Sequence, residues 1–304
     1  MIRDEMKQEV HHLLGTVMKG IGGFYYVRDE AGQEHQLRAQ NKIRRVKLRP
    51  CVGDRVEFTP GEGEADGWVS AILPRANALV RPPVANIDVI VLTVASAAPD
   101  PDLMLIDQML LVARQAGIPV ELAITKADRD PAMAEAIRRQ YEPAGLNPVC
   151  VCALDGTGLP ELRERLKGRI HALAGQSGAG KSTLINALHG LHLETGGLSE
   201  KIERGKNTTR RCELIPVEGG GMVLDTPGFS RLELELTEPE KLQEWMPEFE
   251  PYAGRCRFTP CMHMSEPDCA VKQALADGAF SRERYERYCE IAREMKQRWR
   301  NRYD

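Results

Sequence analysis

The feature that most constrains this chain is a glycine-rich segment at 175–183, which matches the pattern Gly-x-x-x-x-Gly-Lys-Ser/Thr. It follows a mostly apolar run, Ile170 to Ala174, and precedes apolar residues at helical spacing. Glycines let backbone amides approach phosphate oxygens, the lysine adds charge and the serine offers a Mg2+ ligand. Against a plain glycine-rich turn, we predict a strand, a phosphate-binding loop and a helix beginning near Lys181. The predicted nucleotide contacts here are Gly175, Gln176, Ser177, Gly178, Ala179, Gly180, Lys181, Ser182 and Thr183.

Length and charge limit the class of protein. With 304 residues the chain is long enough for two or three domains. It has no run of 18 apolar residues and its first residues lack a signal-peptide core, which predicts a cytoplasmic protein with no membrane partner. The net charge of −3 gives no global sign of nucleic-acid binding, so any such surface has to be local.

The first 78 residues predict a small β-barrel. Short strands separated by turn residues recur at the spacing of a five-stranded OB-fold, a fold that often carries nucleic acid on one face. Seven positive residues against one acidic residue lie between Arg38 and Arg55, and either an RNA surface or a solvated face would explain them. The predicted strands are 13–17, 24–27, 34–39, 52–58 and 68–72.

The middle of the chain predicts an α/β domain. Residues 73–83 contain three prolines and should not be helical. Beyond them, apolar runs suited to buried parallel strands alternate with helical patterns up to the phosphate loop. The predicted strands are 87–94, 118–124, 147–152, 170–174 and 222–224, and the predicted helices are 103–115, a segment after Pro131, and 160–167.

Two loops at predicted strand ends carry the chemistry of guanine recognition. Thr125-Lys126-Ala127-Asp128 closes one strand, where ligands bind in such sheets. The Asp128 carboxylate can accept two hydrogen bonds from guanine N1–H and its amino group, a pattern that adenine cannot offer, and the Lys126 stem can lie along the ring. Cys152 and Ala153, at the next strand end, could present a backbone N–H to guanine O6.

Two further segments predict the magnesium and γ-phosphate contacts. Thr208 and Thr209 lie in a polar loop, and either hydroxyl could complete a magnesium shell. Asp225 ends an apolar run and is followed by Thr-Pro-Gly, so its carboxylate could hold Mg2+ and the Gly228 amide could meet the γ-phosphate. The expected catalytic residues are Lys181, Ser182, Thr208, Thr209, Asp225 and Gly228.

A cysteine and histidine cluster predicts a structural zinc site near the C-terminus. Three of the eight cysteines lie with one histidine in the spacing Cys-x4-Cys-x-His-x5-Cys. Three thiolates and one imidazole fill a tetrahedral Zn2+ shell and leave no position for water, so the site should be structural. The expected ligands are Cys256, Cys261, His263 and Cys269.

The order of these motifs resembles one family. In chain order these motifs are a base loop (125–128), a second base loop (152–154), the phosphate loop (175–183), a first switch (205–210) and a second switch (225–228). GTPases usually begin with the phosphate loop, so this order is shifted around the ring. With a barrel in front and a cysteine cluster behind, the chain resembles the RsgA (YjeQ) family of circularly permuted small-ribosomal-subunit biogenesis GTPases. The resemblance implies an OB-fold RNA-binding domain at 1–78, a circularly permuted P-loop GTPase domain at 79–235 and a helical zinc-binding domain at 236–304.

The resemblance also implies an activity and partners. The implied activity is Mg2+-dependent hydrolysis of GTP to GDP, and the implied structural metal is one Zn2+. The implied partners are the small (30S) subunit and its 16S rRNA, which a monomer contacts late in maturation, and the subunit is expected to stimulate hydrolysis. Ending the GTPase at the second switch would couple residues 225–230 to the zinc domain.

Three positions depart from the family pattern. Thr125 stands where asparagine is more common and removes an amide that braces the base loop; Asn207 replaces a histidine; Phe229 stands where many GTPases have a water-orienting glutamine. We therefore expect slow intrinsic hydrolysis. Two competing functions are a metabolic P-loop kinase or ATPase, which would tolerate adenine, and a nucleic-acid-binding module whose GTPase is only a structural switch.

Overall fold

The computed structural model describes residues 12–40, 49–61, 66–193, 212–225, 232 and 234–302. Contacts between Cα atoms divide these residues into two compact units. The first contains the described residues up to Ile87 together with 212–216 and 223–225, and the second contains 88–193, 217–222, 232 and 234–302. Several sequence predictions lie outside the described residues, namely those for Asn207, Thr208, Thr209, Gly228 and Phe229.

A closed five-stranded barrel forms the core of the first unit. The strands lie in the order β1-β2-β3-β5-β4, and β1 also pairs with β4, which closes the sheet. All pairings are antiparallel except β3 with β5. This is the OB-fold arrangement, so the sequence prediction is confirmed. The strands are β1 (Leu13–Ile21), β2 (Phe24–Asp29), β3 (Glu34–Ala39), β4 (Arg55–Thr59) and β5 (Gly67–Ile72).

Alternating apolar residues fill the barrel. Because successive side chains of a strand point to opposite faces, every second residue can face inward. In β4, for example, Val56 and Phe58 are fully buried while Arg55 is exposed. The buried cluster consists of Val17, Val27, Leu37, Val56, Phe58 and Val69.

The segment after the barrel forms a short hairpin and no helix. Strand β6 (Ala78–Leu79) pairs antiparallel with β7 (Val84–Ala85), as the prolines between 73 and 83 allow. An ion pair fastens this segment to the barrel, since Arg75 Nε lies 2.7 Å from Oδ1 of the fully buried Asp54. A second bond, 2.8 Å from Arg75 Nη2 to Asp54 Oδ2, makes the contact bidentate.

The second unit contains a parallel sheet with the strand order β10-β9-β8-β11. All seven residues of β8 are buried, as expected for a β-branched run covered on both faces. The strands are β8 (Val89–Ala95), β9 (Val120–Thr125), β10 (Val149–Val151) and β11 (Ile170–Ala174). The helices between and after them are α1 (Leu103–Gln115), α2 (Pro131–Tyr141), α3 (Leu159–Leu166) and α4 (Lys181–His189), with a 3-10 turn at Glu142–Ala144.

The C-terminal part of the second unit is helical. Its elements are two 3-10 helices, Pro239–Trp245 and Pro247–Phe249, followed by α5 (Ala270–Ala276) and α6 (Arg282–Arg300). Ser281 caps α6 by accepting a hydrogen bond from Arg284 N. The fully buried Phe249 makes aromatic contacts with Phe280 and Tyr288 and forms the centre of this part.

Two strands that follow α4 in the sequence lie wholly or mostly in the first unit. Strand β12 (Glu213–Pro216) pairs antiparallel with β1 at Lys19 and Glu213, whose side chains form a 3.1 Å ion pair. Strand β13 (Met222–Asp225) is the other neighbour of β12. Across the described ranges, no helix is long and apolar enough to cross a lipid bilayer.

Candidate nucleotide site and metal centre

The phosphate loop joins β11 to α4, as the sequence predicted. Its backbone requires glycine at two positions. Gly175 has φ +144°, and a Cβ there would lie 2.1 Å from the carbonyl oxygen of Thr93. Gly180, with φ +86°, precedes the first residue of α4. The loop therefore places the N-terminus of α4, with its unpaired N–H groups, beside the space that the loop encloses.

Lys181 folds back over this loop. Its Nζ donates hydrogen bonds of 2.7 Å to the carbonyl oxygens of Gly175 and Gln176. Burial lowers the pKa of Lys181 to about 8. An anion would favour the charged form, so the side chain is poised for a phosphate. Ser182 is half-buried in the first helical turn, whereas Ser177 and Thr183 are exposed.

The base loop is bonded directly to the phosphate loop. Thr125, at the end of β9, donates a 2.7 Å hydrogen bond from Oγ1 to the carbonyl oxygen of Ala179. Lys126 Nζ donates to the carbonyl oxygen of Gly178 at 3.0 Å and also to that of Ala98. Thr125 lacks the amide that asparagine would bring, but its hydroxyl group makes a hydrogen bond of its own to the phosphate loop.

The second base loop lies next to the first, since β10 and β9 are parallel neighbours. Asp128 is exposed, Ala127 and Ala153 are half-buried, and Cys152 is buried. The backbone N–H of Asp155 favours the Cys152 thiolate, but burial and hydrogen bonds with the Asp128 and Asp155 side chains raise its pKa above the ordinary value. The neutral thiol thus contacts the Asp128 carboxylate, and the two loops form one polar rim at the carboxyl ends of the strands.

Gln176 has a role that the sequence did not indicate. Its Oε1 accepts a 2.7 Å hydrogen bond from Asp102 N, and its Nε2 donates a 2.8 Å bond to the carbonyl oxygen of Asp100. Asp102 is the N-cap of α1 and accepts from Leu105 N at 2.9 Å. The Gln176 side chain therefore joins the phosphate loop to the start of α1, which leaves its backbone as the group that could meet a phosphate.

Asp225 lies at the end of β13 in the first unit. Burial, and then the negative charge of Glu213, raise the pKa of Asp225 above its ordinary value. A divalent cation at this carboxylate would reverse the shift, because it favours the ionised form. The remaining predicted catalytic residues, Thr208, Thr209 and Gly228, lie outside the described residues.

The four predicted metal ligands converge in the second unit. Their ligand atoms all lie within 4.8 Å of one another. Cys269 Sγ lies 3.8 Å from Cys256 Sγ and 3.9 Å from Cys261 Sγ, and His263 Nδ1 lies 3.3 Å from Cys269 Sγ and 3.5 Å from Cys256 Sγ. A tetrahedral Zn2+ with Zn–S bonds near 2.3 Å requires S–S separations of about 3.8 Å. The donor set and its dimensions therefore fit one zinc ion.

Local contacts hold the ligands in this arrangement. Glu266 accepts hydrogen bonds from Met262 N at 2.9 Å and Met264 N at 2.8 Å, and so fixes the turn on which His263 lies. Tyr285 Oη donates to the His263 carbonyl oxygen at 2.6 Å. Burial lowers the pKa of His263, so its imidazole is neutral and can act as a ligand at pH 7.

Phosphate loop, base loop and metal centre define a P-loop nucleotide-binding protein in which the base loops precede the phosphate loop along the chain. Comparison with known proteins is specific. The family model described as RsgA GTPase matches residues 72–235, and the RsgA N-terminal domain matches residues 14–69. The chain belongs to the RsgA family and is a GTPase.

Relatives and solved structures match nearly the whole chain. The small ribosomal subunit biogenesis GTPases RsgA of Ruminiclostridium cellulolyticum and Agathobacter rectalis are 42% and 40% identical, covering 93% and 94% of this chain and 94% and 99% of the relatives. The crystal structure of YjeQ from Thermotoga maritima has a TM-score of 0.82 at 34% identity and covers 94% of this chain and 99% of that one. YloQ, a circularly permuted GTPase, has a TM-score of 0.78 at 33% identity, with 96% and 98% covered. The predicted circularly permuted fold is confirmed.

Proposed function

We propose that this GTPase is an assembly factor of the small ribosomal subunit, that it binds the 30S particle and 16S rRNA late in maturation, and that the particle stimulates hydrolysis. The observation that carries the proposal is the bonded pair of base and phosphate loops, in a chain that matches RsgA relatives over more than nine-tenths of its length. We place the protein in the cytoplasm as a monomer. Its division is a barrel at 1–78, a GTPase domain at 79–235 and a zinc domain at 236–304.

Guanine selection rests on Asp128. An exposed carboxylate on a loop braced from beneath by Thr125 and Lys126 is suited to accept from guanine N1–H and its amino group. In the proposal, a backbone N–H of the Cys152–Ala153 loop donates to guanine O6, and the hydrogen bonds of Thr125 and Lys126 hold the base loop against the phosphate loop. Thr125, Lys126, Ala127 and Asp128 thus form the base subsite.

Hydrolysis rests on charge stabilisation by the phosphate loop. In the proposal, the backbone of 175–180 surrounds the phosphates and Lys181 leaves its two carbonyl partners to contact them. Ser182, Asp225 and one of Thr208 or Thr209 would hold Mg2+, which would supply positive charge to the phosphates, and the Gly228 amide would contact the γ-phosphate. Asn207 cannot act as the general base that a histidine could be, and the Phe229 ring cannot orient a water as glutamine would, so we infer that the missing help comes from the 30S particle.

The zinc domain and the barrel are the proposed contacts with the ribosome. One structural Zn2+ held by Cys256, Cys261, His263 and Cys269 would fix a surface made by the C-terminal helices. On the barrel, the register places Phe24, Arg38 and Trp68 side by side across three strands, and 43% of the Trp68 surface is exposed. The Arg38 guanidinium lies 4.3 Å from the Phe24 ring centroid. Such a row supports stacking with RNA bases.

The test is nucleotide hydrolysis with and without purified 30S subunits. We expect the wild-type chain to hydrolyse GTP slowly alone and faster with 30S subunits, and Lys181→Ala to lose the stimulated rate. ATP turnover would favour a metabolic ATPase, and tight 30S binding without GTP turnover would favour a binding module.

A second variant isolates the base subsite. Asp128→Asn exchanges one acceptor for a donor, which no longer suits the guanine amino group but suits the C2 carbonyl of xanthine. We expect GTP turnover to fall and xanthosine triphosphate turnover to rise in the same preparation. Unchanged preference for GTP would contradict the role of Asp128 while leaving the proposed ribosomal function intact.

A further inference from the structure

A glutamine outside the zinc motif contacts the histidine ligand. Gln243 lies in the 3-10 helix Pro239–Trp245, and its Oε1 is 2.6 Å from His263 Nε2. The other ring nitrogen, Nδ1, lies between the thiols of Cys256 and Cys269. The two nitrogens of this imidazole therefore have separate partners, one toward the metal position and one toward Gln243.

The amide group of Gln243 can occupy only one orientation. Its Nε2 donates a 2.9 Å hydrogen bond to the carbonyl oxygen of Glu240, three residues earlier in the same helix. Rotating the amide by half a turn would direct Oε1 at that carbonyl oxygen and lose the bond. The side chain therefore presents an acceptor to His263, and an acceptor requires the imidazole to carry its proton on Nε2.

A proton on Nε2 leaves the Nδ1 lone pair free for a metal. In proteins, histidine ligands commonly donate their second ring N–H to an acceptor of this kind, which orients the ring and raises its basicity as a ligand. We propose that Gln243 is a positioning residue of the metal centre, holding His263 in the tautomer and ring orientation that present Nδ1 to Zn2+. This inference rests on the zinc part of the proposed function and assigns a residue to it.

The described groups around His263 offer no obvious alternative acceptor for its Nε2 proton. His263 is 1% exposed, so water has little access to hold the Nε2 proton. Phe249 meets the imidazole edge to face at 5.7 Å between centroids and offers no polar group. Within the described part of the chain, the side chain that hydrogen-bonds to His263 Nε2 is therefore that of Gln243.

The test measures zinc affinity of the full-length chain by competition with a chromophoric chelator. We expect Gln243→Leu, which fills similar space without an acceptor, to weaken zinc binding about 10- to 100-fold. Gln243→Glu keeps an acceptor at the same reach but loses the bond to the Glu240 carbonyl oxygen, so it should bind zinc more weakly than the wild type and more tightly than Gln243→Leu. Gln273→Leu is the matched control, since Gln273 is exposed in α5 and its side chain donates a hydrogen bond to Asp277, away from the metal ligands.

A second readout separates positioning from packing. In the zinc-loaded protein labelled with 15N-histidine, the Nε2–H of His263 should be protected from exchange in the wild type, Gln243→Glu and Gln273→Leu, and lose that protection in Gln243→Leu. Should Gln243→Leu fail to fold, Gln243→Asn keeps the amide but falls one methylene short of the 2.6 Å contact, and it should weaken zinc binding in the same way.

The outcomes distinguish this inference from the zinc site itself. A wild-type chain that takes up no stoichiometric Zn2+ would overturn the proposed metal site and this inference with it. Normal uptake by the wild type with unchanged affinity in Gln243→Leu, or an equal loss in the Leu and Glu variants, would overturn the positioning role alone.

Discussion

Arg284 lies at the centre of a buried ion cluster, and its removal gives the most direct test of what holds the second unit together. The residue is 2% exposed and donates through Nε to Glu248 and through Nη1 to Asp107. Its guanidinium also lies 4.9 Å from the Tyr141 ring centroid. Burial disfavours the charged guanidinium, but the charges of Asp107 and Glu248 more than offset this and raise the pKa of Arg284. One arginine thus joins α1 to α6 and to the helix Pro247–Phe249.

The magnitude follows from what Arg284→Met would leave behind. Asp107 keeps a partner, since Arg287 Nε donates to its Oδ2. Glu248 keeps the nearby charge of Arg114 but no hydrogen-bond partner within the described ranges, because its Oε2 already has none and its Oε1 would lose Arg284. A buried carboxylate left without its partner costs about 3–5 kcal/mol of unfolding free energy. For a unit of this size, that corresponds to a fall in Tm of roughly 10 °C.

The assay is calorimetric unfolding at pH 7 with a surface control. Arg139→Met removes an ion pair with Glu135 on α2 that is largely exposed, and it should change the unfolding free energy by about 0.5 kcal/mol or less. Arg284→Met combined with Glu248→Gln should recover part of the loss, because the orphaned charge is gone. If Arg284→Met were no more destabilising than Arg139→Met, the reasoning from buried charge would be refuted.

Three further predictions concern the phosphate loop and its flanks. Bound phosphate favours the charged form of Lys181, whose pKa is about 8 in the free protein, so GTP binding should take up a proton and weaken above pH 8. Calorimetry in buffers of different ionisation enthalpy would detect the proton uptake. Constant GTP affinity up to pH 9.5 would contradict the prediction. Gln176→Leu removes two hydrogen bonds to the start of α1 and should raise the Kd for GTP by roughly 10-fold, whereas an unchanged Kd would mean that the loop keeps its shape alone. His171 and His189 meet through their Nε2 atoms at 2.9 Å, and burial lowers the pKa of both, that of His189 to about 4. Because the unfolded chain binds these protons near pH 6.5, stability should be complete above pH 6.5 and fall between pH 6.5 and 4. Urea unfolding measured at several pH values should show that the unfolding free energy of His189→Gln depends less steeply on pH over this range.

Local patterns in the sequence were enough to locate the elements that carry the site. The predicted helix 103–115 and the strand 170–174 match α1 and β11 residue for residue, because apolar periodicity and an aspartate N-cap are local signals. The zinc ligands converge as predicted, since three cysteines and one histidine within fourteen residues are typical of a zinc site. The motifs therefore predicted that the base loops and the phosphate loop lie at neighbouring strand ends.

Contacts between distant residues could not be predicted in this way. Gln176 reads as one more phosphate-loop residue, yet its side chain bonds 74 residues back along the chain at Asp102. Asp107 did carry a signal, because a carboxylate in the middle of the apolar run 103–112 needs a buried partner. Nothing in the sequence named that partner as Arg284, 177 residues later. Hydrophobic periodicity predicts which face of an element is buried, but it does not predict which distant residue packs against that face.

These long-range contacts make α1 the element shared by the phosphate loop and the C-terminal helices. Its N-cap residue, Asp102, is bonded to Gln176, and Asp107 within the helix is bonded to Arg284. A helix of this length is rigid, so a displacement at its N-terminus reaches the Asp107 contact.

A double-mutant cycle on GTP affinity tests whether this connection is energetic. If α1 transmits it, Arg284→Met should weaken GTP binding at temperatures where the protein remains folded, and the double variant with Gln176→Leu should lose less than the sum of the single losses, because each change releases the same helix. Arg139→Met paired with Gln176→Leu should be additive within about 0.5 kcal/mol and serves as the control. Additivity in the Arg284 cycle as well would mean that α1 only connects the two sites and carries no coupling between them.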